Sequence, residues 1–309
     1  DTAEDKSATG RIVFRARVAV SIAFFLMGTG PGLWAVHIPI IQERLQIDPG
    51  IIGLALLVLA IGAILAMPLA GILVGRIGSR VTVAFTMIAY LVVMPFPMLA
   101  GSTAVLFASL FAFGLILGMF DVSSNVQGSE VETARGKPTL SSLHGFYSIG
   151  GLFGAVMGAL MIANDWGNGE GAATLAIVLL APAAMAAGNL FPSVKGPEDA
   201  PRFALPSRAI LLIGVIMALC FAIEGAVTDW SALFLTGVRG ATPEVAATGF
   251  ALFSLAMAGF RLFGDPIVTW IGSRRILIGG GLLMGAGTAL ALLIPNAIVG
   301  AIGFGLVGI

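Results

Sequence analysis

Charge is what this sequence has least of. Asp, Glu, Lys and Arg make up 10% of 309 residues, against about 25% in an ordinary soluble domain. Hydrophobic side chains make up 58% and the mean hydropathy is +1.03, which excludes a soluble enzyme. The 16 cations balance 16 anions, so there is no basic surplus to neutralise a phosphate backbone, and nucleic acid is excluded as a partner. The single cysteine, Cys220, lies inside the apolar run ALCFAIEGA and allows neither an intrachain disulfide nor a multi-cysteine metal site. Two histidines, read as lying at opposite membrane faces, and no Ser/His/Asp grouping leave no evident catalytic set. Neither enzymatic activity, a cofactor nor a bound metal is therefore expected.

Long apolar runs fill the space that charge leaves. A bilayer core of about 30 Å needs about 20 apolar residues per helix. Runs of that kind are predicted at about 18–41, 51–75, 81–101, 103–127, 140–163, 171–191, 209–236, 245–269, 276–294 and 297 to the chain end. This is the pattern of an all-α polytopic membrane protein in a lipid bilayer. The first run follows Arg11, Arg15 and Arg17, but it is too long for a signal segment and has no small-residue cleavage site after it, so it is read as a retained span. The lack of an initiator Met and an end at LVGI within an apolar run suggest a piece of a longer product, with two spans missing.

Cations then fix the expected orientation. Lys6, Arg11, Arg15 and Arg17 precede the first span, and alternate loops carry Arg76 with Arg80, Arg135 with Lys137, Lys195 with Arg202 and Arg208, and Arg274 with Arg275. The opposite loops carry only Arg44 and Arg239, and Arg261 falls within a span. The N-terminus is expected on the cytoplasmic side of the inner (plasma) membrane.

A proline-rich, mixed-charge stretch, FPSVKGPEDAPRFALPSR, is the longest polar break. It divides an N-terminal bundle (1–192) from a C-terminal one (209–309), with 193–208 as a cytoplasmic linker. An internal repeat supports the division. A shift of 194 residues lays Pro49–Arg80 over Pro243–Arg274 without a gap, each copy beginning with Pro and ending in IGSR. Parallel six-span repeats about an axis normal to the membrane are a known transporter arrangement.

At this point the chain resembles the major facilitator superfamily. GILVGRIGSR looks like its G-x-x-x-D-R-x-G-x-R signature, with Gly71, Arg76, Gly78 and Arg80 matching and Gly75 standing where the signature has Asp. The lock that this Asp helps to make in the family is thus absent or made by other residues. Asp121–Ala155, Glu224–Leu235 and Phe253–Asp265 resemble the MosC/YbjJ-like branch, near the fucose-permease-type sugar transporters. The resemblance implies two pseudo-symmetric six-helix bundles, the second incomplete, with about ten of twelve spans present. It implies a secondary transporter that works by alternating access, in a branch whose members mainly carry sugar-like or inositol-derived compounds such as rhizopine.

Ionisable residues inside spans cost at least about 2.5–3.5 kcal/mol each at the bilayer centre, so each is a functional candidate. Asp121 and Asn125 are four apart on one helix face and suit a translocation path; a structural pair is the alternative. Glu224 and Asp229, five apart, do not share a face of an unbroken helix, and Gly225 between them permits a local break. Asp121, Glu224 and Asp229 are the candidate proton carriers, with Trp230 beside them. Arg261 needs an anionic partner, and Asp265, one turn later, is the cheapest. Because the family's fifth and eighth helices adjoin, the resemblance implies a cytoplasmic latch of His144, Arg261 and Asp265, with Asp121 as an optional fourth member.

On the outer half, Trp34 suits stacking on a sugar ring or interfacial anchoring, and His37 is an interfacial residue or part of the site. The run GTGPG, 28–32, is expected to kink or break the first span. Glu130 is expected either solvated or reaching a helix end or the Arg76/Arg80 pair as part of the cytoplasmic closure. Gly-rich stretches such as IGGGLLMGAG lack the P-loop Gly-Lys-Ser/Thr and read as close helix packing. The expected function is proton-coupled movement of a small polar solute by a monomer. The alternatives are proton-driven efflux of a small organic compound and a non-transporting sensor on the same fold.

Overall fold

A computed structural model describes residues 3–167, 169–192 and 207–309. Most of the linker lies outside the described residues, Lys195 and Arg202 included. Among those described there is helix and no strand, as a lipid environment requires of a chain that is not a closed barrel. The helices are α1 (Ala3–Leu45), α2 (Pro49–Ile77), α3 (Ser79–Val93), α4 (Phe96–Leu99), α5 (Thr103–Arg135), α6 (Leu140–Ala163), α7 (Glu170–Asn189), α8 (Arg208–Gly237), α9 (Pro243–Ile271), α10 (Ser273–Leu293) and α11 (Ala297–Val307). Nine of the described segments are long and apolar enough to cross a membrane. All ten predicted spans appear as helix. The third is interrupted after Met94, where Pro95 and Pro97 cannot donate to the preceding turn, and the chain restarts as the short α4.

The chain divides into two compact units, Asp1–Ala200 and Pro201–Ile309. In the first, α1 lies along α6 and α2 along α5, while α3 packs on α5 and α7. Expectation and structure part at α1. Despite Pro31 and Pro39 it runs unbroken for 43 residues, so GTGPG makes no helix break. Its glycines serve contact instead. A Cβ on Gly28 would strike the Tyr147 backbone, one on Gly32 the Gly151 carbonyl, and from α6 one on Gly150 or Gly154 would strike the α1 backbone at Phe25 or Thr29. Lipid tails are as apolar as Leu, so close backbone approach, rather than hydrophobic expulsion from water, holds such helices together. The core behind this seam includes Phe24, Met27, Met87, Phe113 and Phe120, with the Tyr90 hydroxyl donating to the Met27 carbonyl at 2.6 Å.

In the second unit, α9 packs on α8 and α11, and α10 on α11. Its core is smaller, built from Val227, Leu235, Phe253, Ala291, Ala301, Phe304 and Val307. Gly225 does not interrupt α8.

The sequence repeat is a structural repeat. α2 and α9 are both 29 residues long, each opens on Pro, and each ends at a glycine with positive φ: Gly78 at 86° and Gly272 at 91°. Each of these glycines donates its N–H to a valine carbonyl four residues back, at 2.9 Å in both cases. Only glycine adopts that backbone cheaply.

Candidate functional site

Intramembrane polar groups gather at two places, one in each unit. In the first unit, Asp121 and Asn125 share one face of α5, and the Asn125 amide donates to both Asp121 Oδ1 and the Asp121 carbonyl at 3.0 Å. No cation pairs with Asp121 among the described residues. In the second, Arg261 of α9 reaches Glu224 Oε1 of α8 at 3.0 Å. Sequence spacing favours Asp265, one turn along α9, as the partner. Packing of the antiparallel α8 and α9 brings Glu224 and Arg261 to one depth. Asp265 is 8% exposed, and its carbonyl accepts from the Thr269 hydroxyl one turn on. The side chain of Asp229 lies outside the described ones, and Trp230 is 66% exposed on α8.

Trp34 and His37 are both buried within the first unit. Trp34 is 5% exposed and His37 fully buried. His37 Nδ1 lies 2.7 Å from the Leu33 carbonyl, so Nδ1 carries the hydrogen and donates, leaving Nε2 as an acceptor in the neutral ring. His144 sits on α6 with its ring edge-on to Phe24 at 5.1 Å, within the first unit.

The ends of α3, α5 and α7 are joined by a polar network. The Ser79 hydroxyl, from the first IGSR copy, donates to Glu130 Oε2 at 2.6 Å. The Gln127 amide nitrogen faces Ser79 Oγ, Glu130 Oε2 and the Phe191 carbonyl at 2.7–3.0 Å, while Gln127 Oε1 accepts from the Phe191 N–H. Glu130 thus reaches the start of α3. Arg80 donates to the Gly188 carbonyl at 3.1 Å, and Arg76 is exposed without a hydrogen bond or ion pair among the described residues. Glu132 Oε2 accepts the Thr139 and Leu140 N–H groups and caps α6, whose Thr139 side chain makes no cap of its own. Sequence reading missed Gln127 and Glu132. The available signals were Gln127 three residues before Glu130 on one face, and a carboxylate seven residues ahead of a helix start.

The two arginines of the opposite loops do matching work. Arg44 donates to the Met98 and Ala100 carbonyls at 2.6 and 3.0 Å, closing the end of α4, and Arg239 donates to the Ala291 and Leu292 carbonyls at 3.3 and 2.5 Å, closing α10. Unpaired carbonyls at a helix end attract cations.

Apolar helices in two related units, with sparse polar groups at mid-span, define a multi-pass membrane transporter. The chain belongs to the Major Facilitator Superfamily, whose model matches residues 20–309. An uncharacterized MFS-type transporter of Yersinia pestis is 35% identical over 94% of this chain and 76% of its own length. The membrane protein MosC of Rhizobium meliloti is 28% identical over 94% of this chain and 71% of its own. Among solved structures, the Escherichia coli fucose:proton symporter aligns with a TM-score of 0.68 at 15% identity, over 94% of this chain and 80% of its own. The proton:xylose symporter XylE aligns at 0.66 with 14% identity, over 97% and 81%. At these identities the two symporters speak for the fold.

Proposed function

We propose that this transporter couples the inward movement of a small polar solute, of the sugar, polyol or inositol-derived class, to protons, and that Asp121 takes the proton. The observation that carries this reading is the contrast between two mid-span carboxylates. The Glu224 charge is matched by Arg261, whereas among the described residues Asp121 has only the Asn125 amide. An ionised carboxylate without a counter-ion is costly at that depth, and adding a proton removes the cost. Asn125 keeps the group pointed along one face of α5 in both states, because its amide can donate to a carboxylate or to a carboxylic acid carbonyl. The Glu224 and Arg261 side chains are 32% and 26% exposed, and charged groups exposed at mid-span need water opposite them rather than hydrocarbon. That hydrated face can offer a solute both donors and acceptors. In this reading Glu224 and Arg261 orient solute while Asp121 carries the proton, in a monomer of the inner membrane with a cytoplasmic N-terminus.

Charge movement in proteoliposomes under an imposed pH gradient tests this, with a panel of sugars and inositols. A saturable, solute-dependent current that is lost in Asp121→Asn supports the proposal. Current retained in Asp121→Asn overturns the assignment of the carrier. A folded protein that gives no current with any solute overturns coupled uptake and favours efflux or a sensor.

A further inference from the structure

α1 is 43 residues long, about 64 Å at 1.5 Å per residue and twice the bilayer core, and its apolar run begins only at Val18. The turns before Val18 have two distinct faces. Val13 and Ala16 are buried in the first unit, and Arg17 donates to the Ser142 hydroxyl at 3.0 Å. On the other side Arg11, Phe14, Arg15 and Val18 form one stripe, at spacings of three, four and seven residues. Phe14 is 67% exposed and Val18 45%, and the two exposed arginines that bracket Phe14 make no hydrogen bond or ion pair among the described residues. Arg17, Arg44, Arg80 and Arg135 are all bonded to the protein.

We infer that this stripe is a binding site for an anionic phospholipid, with the phosphate between Arg11 and Arg15 and the acyl chains over Phe14 and Val18. Depth argues for lipid as the occupant. Arg15 and Arg11 stand about 4 and 10 Å outside the start of the apolar run along the helix axis, at headgroup level. Charge argues for an anionic headgroup, since guanidinium groups one turn apart can grip phosphate oxygens in pairs. The exposed phenyl ring between them has no use to free phosphate but suits the boundary between headgroup and chain.

Native mass spectrometry of the full chain, with phosphatidylglycerol, phosphatidylcholine or inorganic phosphate added in detergent, tests the site. Each cation near an anionic surface is worth about fivefold in affinity, so Arg11→Gln with Arg15→Gln should weaken phosphatidylglycerol by about 25-fold. Phe14→Ser should weaken it severalfold with both charges kept, and Lys137→Gln with Arg208→Gln, which removes the same charge elsewhere, should leave it unchanged. Equal loss in the Lys137/Arg208 control, or equal binding of phosphatidylcholine or inorganic phosphate, would overturn the inference. If the arginine variant does not fold, Phe14→Ser decides: unchanged phosphatidylglycerol binding in it rejects the site.

Discussion

The two units share a plan and differ in what fills it. Both carry a 29-residue helix from Pro to a positive-φ glycine, and both use one arginine to close a helix end. Both join helices through glycines, at Gly28, Gly32, Gly150 and Gly154 in the first unit and at Gly287, Gly303 and Gly308 in the second, while the first carries a carboxylate with no counter-ion among the described residues. The second has a smaller core, and its cross-helix ion pair uses an arginine that stands where the first repeat has Met67. Repetition thus fixes the frame, while the Arg261 charge stands on one copy alone. Residues that break the repeat are therefore better functional candidates than residues that keep it.

The largest expected effect separates seam from open helix face. Gly154→Leu should leave little folded protein in detergent extracts, because its side chain would have to occupy the position of the α1 backbone. Gly281→Ala on α10, where nothing lies within 4 Å, should be neutral or raise the midpoint of thermal unfolding, since alanine gains about 0.5–1 kcal/mol over glycine in a helix. Equal damage at both positions would show that close backbone approach is not what makes Gly154 intolerant.

Next comes the pair of carboxylates. Asp121→Asn should abolish proton-driven current while leaving thermal stability nearly unchanged, because an amide replaces a group without a counter-ion. Glu224→Gln should cost stability, about 1–3 kcal/mol, less than for a fully buried pair because both partners are partly exposed. Adding Arg261→Met removes both members of the pair, and transport should stay impaired. Full stability in Glu224→Gln alone would mean that the ion pair contributes nothing to the fold.

Sequence reading reached the spans because an apolar run of bilayer length has few other uses, and the repeat because IGSR recurs in register at equivalent helix ends. It reached the Asp121–Asn125 contact because four-residue spacing on one helix is local geometry. It failed where the answer depended on a neighbouring helix. Arg261 bonds Glu224 on α8, a contact that no pattern within α9 encodes. Proline and glycine in GTGPG signal a kink or a break by composition; there is no break, and the glycines match a facing glycine row on α6. For His37 and Trp34, distance along α1 left interface and site both open, and their burial depends on what packs around them.

The smallest effects should be equal in the two units, and that equality is the test. Arg44→Met and Arg239→Met each remove a charged donor from two terminal carbonyls, so each should lower stability by about 1–2 kcal/mol. Gly78→Ala and Gly272→Ala each force a side chain into a backbone region open almost only to glycine, at about 1–3 kcal/mol. Thermal unfolding of the four variants against the parent measures all of them together. Matching losses within each pair would mean that the repeat preserves energetics as well as geometry. A loss confined to Arg44 and Gly78 would mean that the second unit's smaller core sets its stability before its helix ends matter, and that the shared plan is geometric alone.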